Sequence, residues 1–323
     1  MIPWLVLLQA SLTIATAGPA TTPEYLPLWV AQAEGYFAQE KLAVSIEGTR
    51  AEAPAAEVLA RGEADLAATS LDAALLLGAV DGAPPRLVFG LTATPAVALL
   101  VPVTRRETIR SLGDLVGKTV GVPAPGTPAE IMLLSLLTRA RIRVPQVTVK
   151  SYGERGLAGA LESGEVAAAM LGDPYATRLV EEGKAVALVD LRRRGESDHW
   201  LGEPGVYAAL FARADTRLGA AELKPLARAL LRALARIQTA TPEELQARLP
   251  AATIGMPEDF SARFLGARQI FLRDGWVTPE MLKASLAFVR SRGPIPAKVK
   301  LPRRTDQLLL TEPLKEVLDS GRR

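Results

Sequence analysis

A unit of helix, glycine, acidic turn and strand occurs twice in this chain and constrains its fold more than any other feature. The first copy is Leu59-Ala60-Arg61-Gly62-Glu63-Ala64-Asp65-Leu66-Ala67-Ala68. The second is Ala160-Leu161-Glu162-Ser163-Gly164-Glu165-Val166-Ala167-Ala168-Ala169-Met170. In each copy glycine stands where a helix closes with a left-handed residue, and the apolar run beyond it has strand character. Two such units predict two similar lobes facing each other across a cleft. The length of 323 residues agrees, because a single core stops growing at roughly 250–300 residues.

The rest of the chain alternates in the same way. Strands are expected over 11–18, 44–47, 64–68 and 86–91, with helices over 21–38, 52–60 and 71–80 between them. The apolar stretch 96–103 is expected to cross into the second lobe. There the alternation resumes with strands over 119–122, 147–150, 166–171 and 185–190, and helices over 128–139, 157–162 and 175–182. Residues 205–212 read as the return crossing, and the remainder from about 215 as a helical tail packed on the first lobe. Strands alternating with helices imply largely parallel sheets covered on both faces. The fold class is thus α/β, with two parallel-rich lobes joined by two crossing strands.

In the tail, Leu223, Leu226, Leu230, Leu234 and Ile237 repeat at helical spacing, with Arg228, Arg232 and Arg236 on another face. The arginine stripe reads as a solvated face in preference to a docking surface.

Several motifs resemble a known family. Tyr25-Leu26-Pro27-Leu28-Trp29-Val30-Ala31 with Gly35-Tyr36-Phe37 is similar to the first helix of the periplasmic solute-binding proteins of nitrate, sulfonate and taurine importers and their pyrimidine-precursor relatives, the THI5-like group. Leu115-Val116-Gly117-Lys118-Thr119-Val120-Gly121-Val122 followed by Gly126-Thr127 resembles that family's lead-in to the second lobe. The likeness runs in order over residues 11 to 240. One position departs: Lys41 stands where the family usually has glycine.

The resemblance implies a type II periplasmic-binding-protein clamshell, with lobe I formed by 11–97 and 207–323 and lobe II by 98–206. It implies capture of a small polar or aromatic solute, sulfonate-, pyrimidine- or carboxylate-like, by hinge closure. It also implies delivery to the permease and ATPase subunits of an ABC importer, a periplasmic location and a monomeric state. A lyase or dehydratase of the same fold and a sensory binding module are the alternatives.

In open α/β sheets a ligand sits beyond the carboxyl ends of the strands, where helix N-termini point into the crevice. Four such junctions are legible: Thr22 with Tyr25, Thr69-Ser70, Gly126-Thr127, and Asp173 with Tyr175. Each residue singly suits an ordinary helix cap, while the set converging on one cleft suits binding. Trp29, Arg155 in an expected loop, and Trp200 in the expected loop 197–203 complete the candidates. An acidic Asp173 favours a ligand with both a donor and an acceptor over a simple inorganic anion.

Other chemistries find little support. There is no cysteine and a single histidine, His199, which excludes thiolate sites and a histidine metal cluster within one chain; no P-loop, nucleophile elbow or HExxH pattern occurs. No cofactor and no metal are expected. The net charge of +3 and scattered arginine clusters lack the basic, aromatic-interleaved stripe of a nucleic-acid binder. Residues 1–10 resemble the apolar part of an export signal without its positive start, a reading that stands beside that of a buried first strand. Since 11–18 already supplies a first strand, the segment is read as a truncated signal.

Overall fold

Apolar runs bounded by glycine and acidic turns become ten strands in the computed structural model, which describes residues 10–202, 205–292, 297–301 and 303–321. They are β1 (Ala10–Thr16), β2 (Leu42–Gly48), β3 (Leu66–Ser70), β4 (Arg86–Gly90), β5 (Val97–Pro102), β6 (Thr119–Val122), β7 (Thr148–Ser151), β8 (Ala168–Gly172), β9 (Ala185–Asp190) and β10 (Ala208–Ala212). Residues 1–9, most of the segment read as a signal, lie outside the described residues; Ala10 already belongs to β1.

The strands form two sheets of like topology, ordered β2-β1-β3-β10-β4 and β7-β6-β8-β5-β9. Parallel pairing joins β1 to β2 and β3, and β6 to β7 and β8. The odd strand in each sheet is the one arriving from the other half. β10 runs antiparallel to β3 and β4, and β5 antiparallel to β8 and β9. Both arriving strands are buried at every position, as suits a strand covered on both faces. β7, at an edge, is largely exposed and carries Lys150, a charge that discourages edge pairing.

The repeated unit appears as read. Gly62 (φ 74°) and Gly164 (φ 75°) each take the left-handed conformation at the end of a helix, which only glycine adopts without steric cost. In the tail, Leu223, Leu226, Leu230, Leu234 and Ile237 are all at most 1% exposed on the helix Ala220–Thr239. They share a core with the helix Leu26–Ala33 and the first sheet. Each such side chain contributes about 1.5–3 kcal/mol of burial.

The arginine stripe is drawn into side-chain contacts within the fold. Arg228 donates to Glu40 at 2.6 Å and Arg232 to Gln39 at 2.6 Å, while Arg236 donates to Glu34 at 3.3 Å and Glu244 at 3.0 Å. Arg232 also lies 4.1 Å from the Tyr36 ring centre. These contacts offset the mutual repulsion of arginines four residues apart.

Three details differ from the sequence reading, and a fourth is explained by the backbone. The first helix breaks at Gly35 (φ 71°), leaving Leu26–Ala33 and Tyr36–Gln39 as separate pieces. Arg155 lies inside the helix Glu154–Glu162, and Trp200 inside the helix Arg194–Leu201, instead of in loops. The short polar spacers there resemble turns by composition, yet each can also open a helix. Lys41 takes φ 58°, a left-handed backbone that explains why glycine suits this position.

The tail, finally, packs on more than the first sheet. Phe288 stands edge-on to Tyr207 and packs against the second core. Asp259 of the helix Pro257–Arg268 pairs with Arg178 of the second half. Gly266 on that helix comes so close to Asp173 that a Cβ there would lie 1.7 Å from Oδ2.

The connections between the halves are residues 91–96 and the stretch ending at Tyr207. Thr92, fully buried, ties them together. Its N–H donates to the Ala208 carbonyl at 3.1 Å, its carbonyl accepts from Tyr207 N–H at 3.1 Å, and its Oγ1 accepts from Ala208 N–H at 3.0 Å.

Candidate functional site

The carboxyl ends of β1, β2, β6, β7 and β8 face one another around a cavity of about 350 Å³. The first half lines it with Gly18, Thr21, Thr22, Glu24, Arg50 and Glu52. The second half contributes Pro123, Thr127, Glu154 and Asp173; Ala96 and Val97 form part of the wall, and Arg263 reaches in from the tail. A surface groove of about 460 Å³ lies beside the helix Pro279–Arg292, away from the strand ends where open α/β sheets hold ligands.

Thr22, Thr127 and Asp173 among the sequence candidates line the cavity. Tyr25, Thr69 and Ser70 sit behind it and build a socket for Glu52. Tyr25 Oη lies 2.9 and 2.8 Å from the two Glu52 carboxylate oxygens; Thr69 Oγ1 (2.7 Å) and Ser70 N–H (2.6 Å) both approach Oε2. Ser70 Oγ also caps its own helix by accepting from Ala73 N–H at 3.4 Å.

The remaining candidates stand outside the lining. Gly126 N–H donates to Glu130 Oε2 at 2.6 Å, closing the turn before the helix Pro128–Arg139. Trp29 packs against the first core, and Trp200 against the second, edge-on to His199 at 5.1 Å. Tyr175, partly buried, packs against a hydrophobic cluster of the second half that includes Leu157, Leu171 and Leu179. Arg155 is exposed.

Asp173 is anchored on both oxygens. Arg192 Nη1 donates to them at 2.8 and 3.0 Å, and Thr177 N–H donates to Oδ1 at 2.9 Å. The same guanidinium bonds Asp190 at 2.8 and 3.0 Å. Burial opposes the Arg192 charge, but hydrogen bonds and the fields of Asp190 and Asp173 outweigh it and raise its pKa. Asp173 therefore fixes the wall; a ligand using it shares it with Arg192.

Glu24, Glu52 and Arg263, together with Arg50 and Glu154, line the cavity without having been read as site groups in the sequence. Glu24, half-buried, has its pKa pushed up to about 7 by burial and by the carboxylates of Glu52, Glu154 and Asp173, against the pull of its own backbone N–H. Burial also raises Glu52, opposed by the hydrogen bonds from Thr69, Tyr25 and Ser70. Arg263, 8% exposed, donates through Nη2 to the carbonyls of Thr253 (2.9 Å) and Ile254 (2.7 Å). Burial lowers its pKa, against the attraction of Asp173. Glu52 follows β2 as a fifth strand-to-helix junction, a signal present in the sequence; Arg263 comes from a distant helix and carries no such signal.

Comparison with known proteins follows the same lines. The family described as NMT1/THI5 like matches residues 22–244. This chain belongs to that family. Solved structures agree in fold with this NMT1/THI5-like protein. The periplasmic aliphatic sulphonate-binding protein SsuA from Escherichia coli is 19% identical, with a TM-score of 0.70 over 93% of this chain and 99% of that one. The alkanesulfonate-binding SsuA from Xanthomonas axonopodis pv. citri, bound to MOPS, is 19% identical, with a TM-score of 0.64 over 90% and 96%. The periplasmic nitrate-binding protein NrtA from Synechocystis PCC 6803 is 12% identical, with a TM-score of 0.63 over 97% and 89%. A search of curated protein sequences gives no match. The NMT1/THI5-like chain thus has the periplasmic-binding-protein fold, and no helix among its described residues is long and apolar enough to cross a membrane.

Proposed function

We propose that this chain is the solute-binding component of an ABC importer, working outside the cytoplasm as a monomer. It would capture a small polar or aromatic solute between two lobes, 11–97 with 207–323 and 98–206, and hand it to membrane permease and ATPase subunits. The carrying observation is the cavity of about 350 Å³ at strand ends of both sheets, a volume typical of small-molecule sites. The paired connections at Thr92 and Ala208 support hinge closure, in which ligand favours the closed state by its greater affinity for that state. Thr22, Thr127 and Asp173 would contact the solute, with Tyr25, Thr69 and Ser70 positioning Glu52 beside them.

The test is a thermal-shift screen of sulfonates, nitrate, carboxylates, pyrimidines and amines, with small-angle scattering on each hit. Ligand at a hundred times its Kd adds about 2.7 kcal/mol of stability. A hit that is recovered unchanged and shrinks the radius of gyration supports capture; stabilisation without compaction refutes closure. One observation favours an enzymatic reading, namely Glu24 poised near neutrality as a general acid or base. A hit recovered chemically altered would establish it.

A further inference from the structure

We propose that the group recognised in the cleft is a positively charged nitrogen, an ammonium or amidinium, seated against Glu24 and Glu154. The inference rests on reading the cleft as a solute site, and it assigns that solute a charge.

Four carboxylates line the cavity against two guanidinium groups. The partners of these groups decide what each has left to offer. Glu52 is satisfied by Tyr25, Thr69 and Ser70, and Asp173 by Arg192 and Thr177. No ion pair among the described residues involves Glu24 or Glu154. On the basic side, Arg263 already donates to two backbone carbonyls, which leaves Arg50, exposed as Glu154 is. Two carboxylates, Glu24 and Glu154, thus stand against the one guanidinium of Arg50, and the balance in the cleft is negative. A nitrate or sulfonate entering it meets like charge, whereas an ammonium or amidinium donates to carboxylates that have room for it.

A second observation concerns a small recess beside the cavity, walled by Leu26, Phe260, Phe264 and Ala267 but also by polar groups. Thr253 is 2% exposed, and its Oγ1 has no hydrogen-bond partner. It lines a side pocket of about 10 Å³ that shares Thr21, Thr22, Pro23 and Arg263 with the main cavity. That is room for about one water or one polar ligand atom. An unpaired buried hydroxyl beside Arg263 suits the polar far end of a solute whose cationic head lies at Glu24. A bare metal ion fits poorly, because no group of three acidic or histidine ligands among the described residues is arranged to hold one.

Charge selection makes binding depend on pH. The charged groups around Glu24 are Glu52, Glu154 and Asp173, with Arg50 and Arg263 also on the cavity wall. A cation binds the ionised carboxyl, so its affinity falls as pH drops through about 7, where Glu24 takes up a proton.

The experiment titrates the full chain, and its Glu24→Gln variant, with four probes of one shape: benzamidine, benzylamine, benzenesulfonate and benzyl alcohol, at pH 8 and pH 6. The two cations are expected to bind at least about tenfold more tightly than the other two at pH 8. That preference should shrink at pH 6 and disappear in Glu24→Gln. Glu154→Gln, at an exposed position, gives the same readout should the first variant fold poorly. Tighter binding of benzenesulfonate, reduced by Thr127→Val in the cleft wall, overturns the inference and leaves solute capture standing. Absence of cleft-dependent binding by any of the four probes overturns both.

Discussion

Replacing Glu24 by glutamine keeps the shape of the side chain and removes its charge, so the cost of holding that charge in the cleft becomes measurable without any ligand. The carboxyl has an ordinary pKa of 4.5 and a folded-state value of about 7. In the unfolded chain it ionises first, and the folded protein holds the extra proton. Stability therefore falls as pH rises from 4.5 to about 7, and the full penalty remains above that range. A rise of that size corresponds to about 3 kcal/mol, and partial exposure to solvent screens it to about 1–2 kcal/mol. Glu24→Gln should thus be more stable than the parent by about 1–2 kcal/mol at pH 8, with the gain vanishing towards pH 4.5. Urea unfolding at the two pH values measures it, on protein first refolded from urea to strip any copurified solute. A variant that is destabilised at pH 8, or equally affected at both pH values, would refute the reasoning.

Other substitutions test the surrounding architecture. Arg192→Met leaves Asp173 and Asp190, both at most 5% exposed in their side chains, without their shared cation. Urea unfolding should show a loss of about 3–5 kcal/mol, and a loss under 1 kcal/mol would contradict the anchoring role. Thr92→Val removes the acceptor of the Ala208 N–H between the two halves; a loss of about 1–3 kcal/mol is expected in the same assay. Lys41→Gly relieves the left-handed backbone at φ 58° and should stabilise by up to about 1 kcal/mol. A destabilised Lys41→Gly protein would mean that the lysine side chain contributes more than the backbone strain costs.

The fold was legible because its determinants are local. Strand β6 and the helix Pro128–Arg139 appear at the residues read for them, and the glycines at 62 and 164 close their helices as their positions implied. The strand-to-helix junctions likewise brought Thr22, Thr127 and Asp173 to the cavity wall. Residue type alone did not tell which side chains line the cavity. Trp29, Tyr175 and Trp200 were aromatic and near the junctions, but each faces packing neighbours in its own layer. Tyr25 and Thr69 proved to be buried partners of a carboxylate. Glu24 and Glu52 are first-turn acidic residues, a favourable place beside a helix dipole, and that ordinary role masked their convergence even where, for Glu52, the strand-to-helix junction was legible. Arg263 needed tertiary structure, because the tail helix that carries it crosses to the cleft from far along the chain.

The side-by-side connections give the molecule a particular mechanics. Ala98 pairs with Asp190 in the inserted sheet, and Thr92 bonds Ala208 at the start of β10 in the host sheet. The second half is therefore spliced into the first through a doorway of two adjacent connecting segments. Because that doorway is already closed, lengthening or shortening the guest changes the loop entropy of the host very little. On the proposed hinge closure, two adjacent, cross-bonded connections would act as one pivot. The tail helix, pressed by Gly266 against Asp173 and tied by Asp259 to Arg178, bridges the two halves beside those connections.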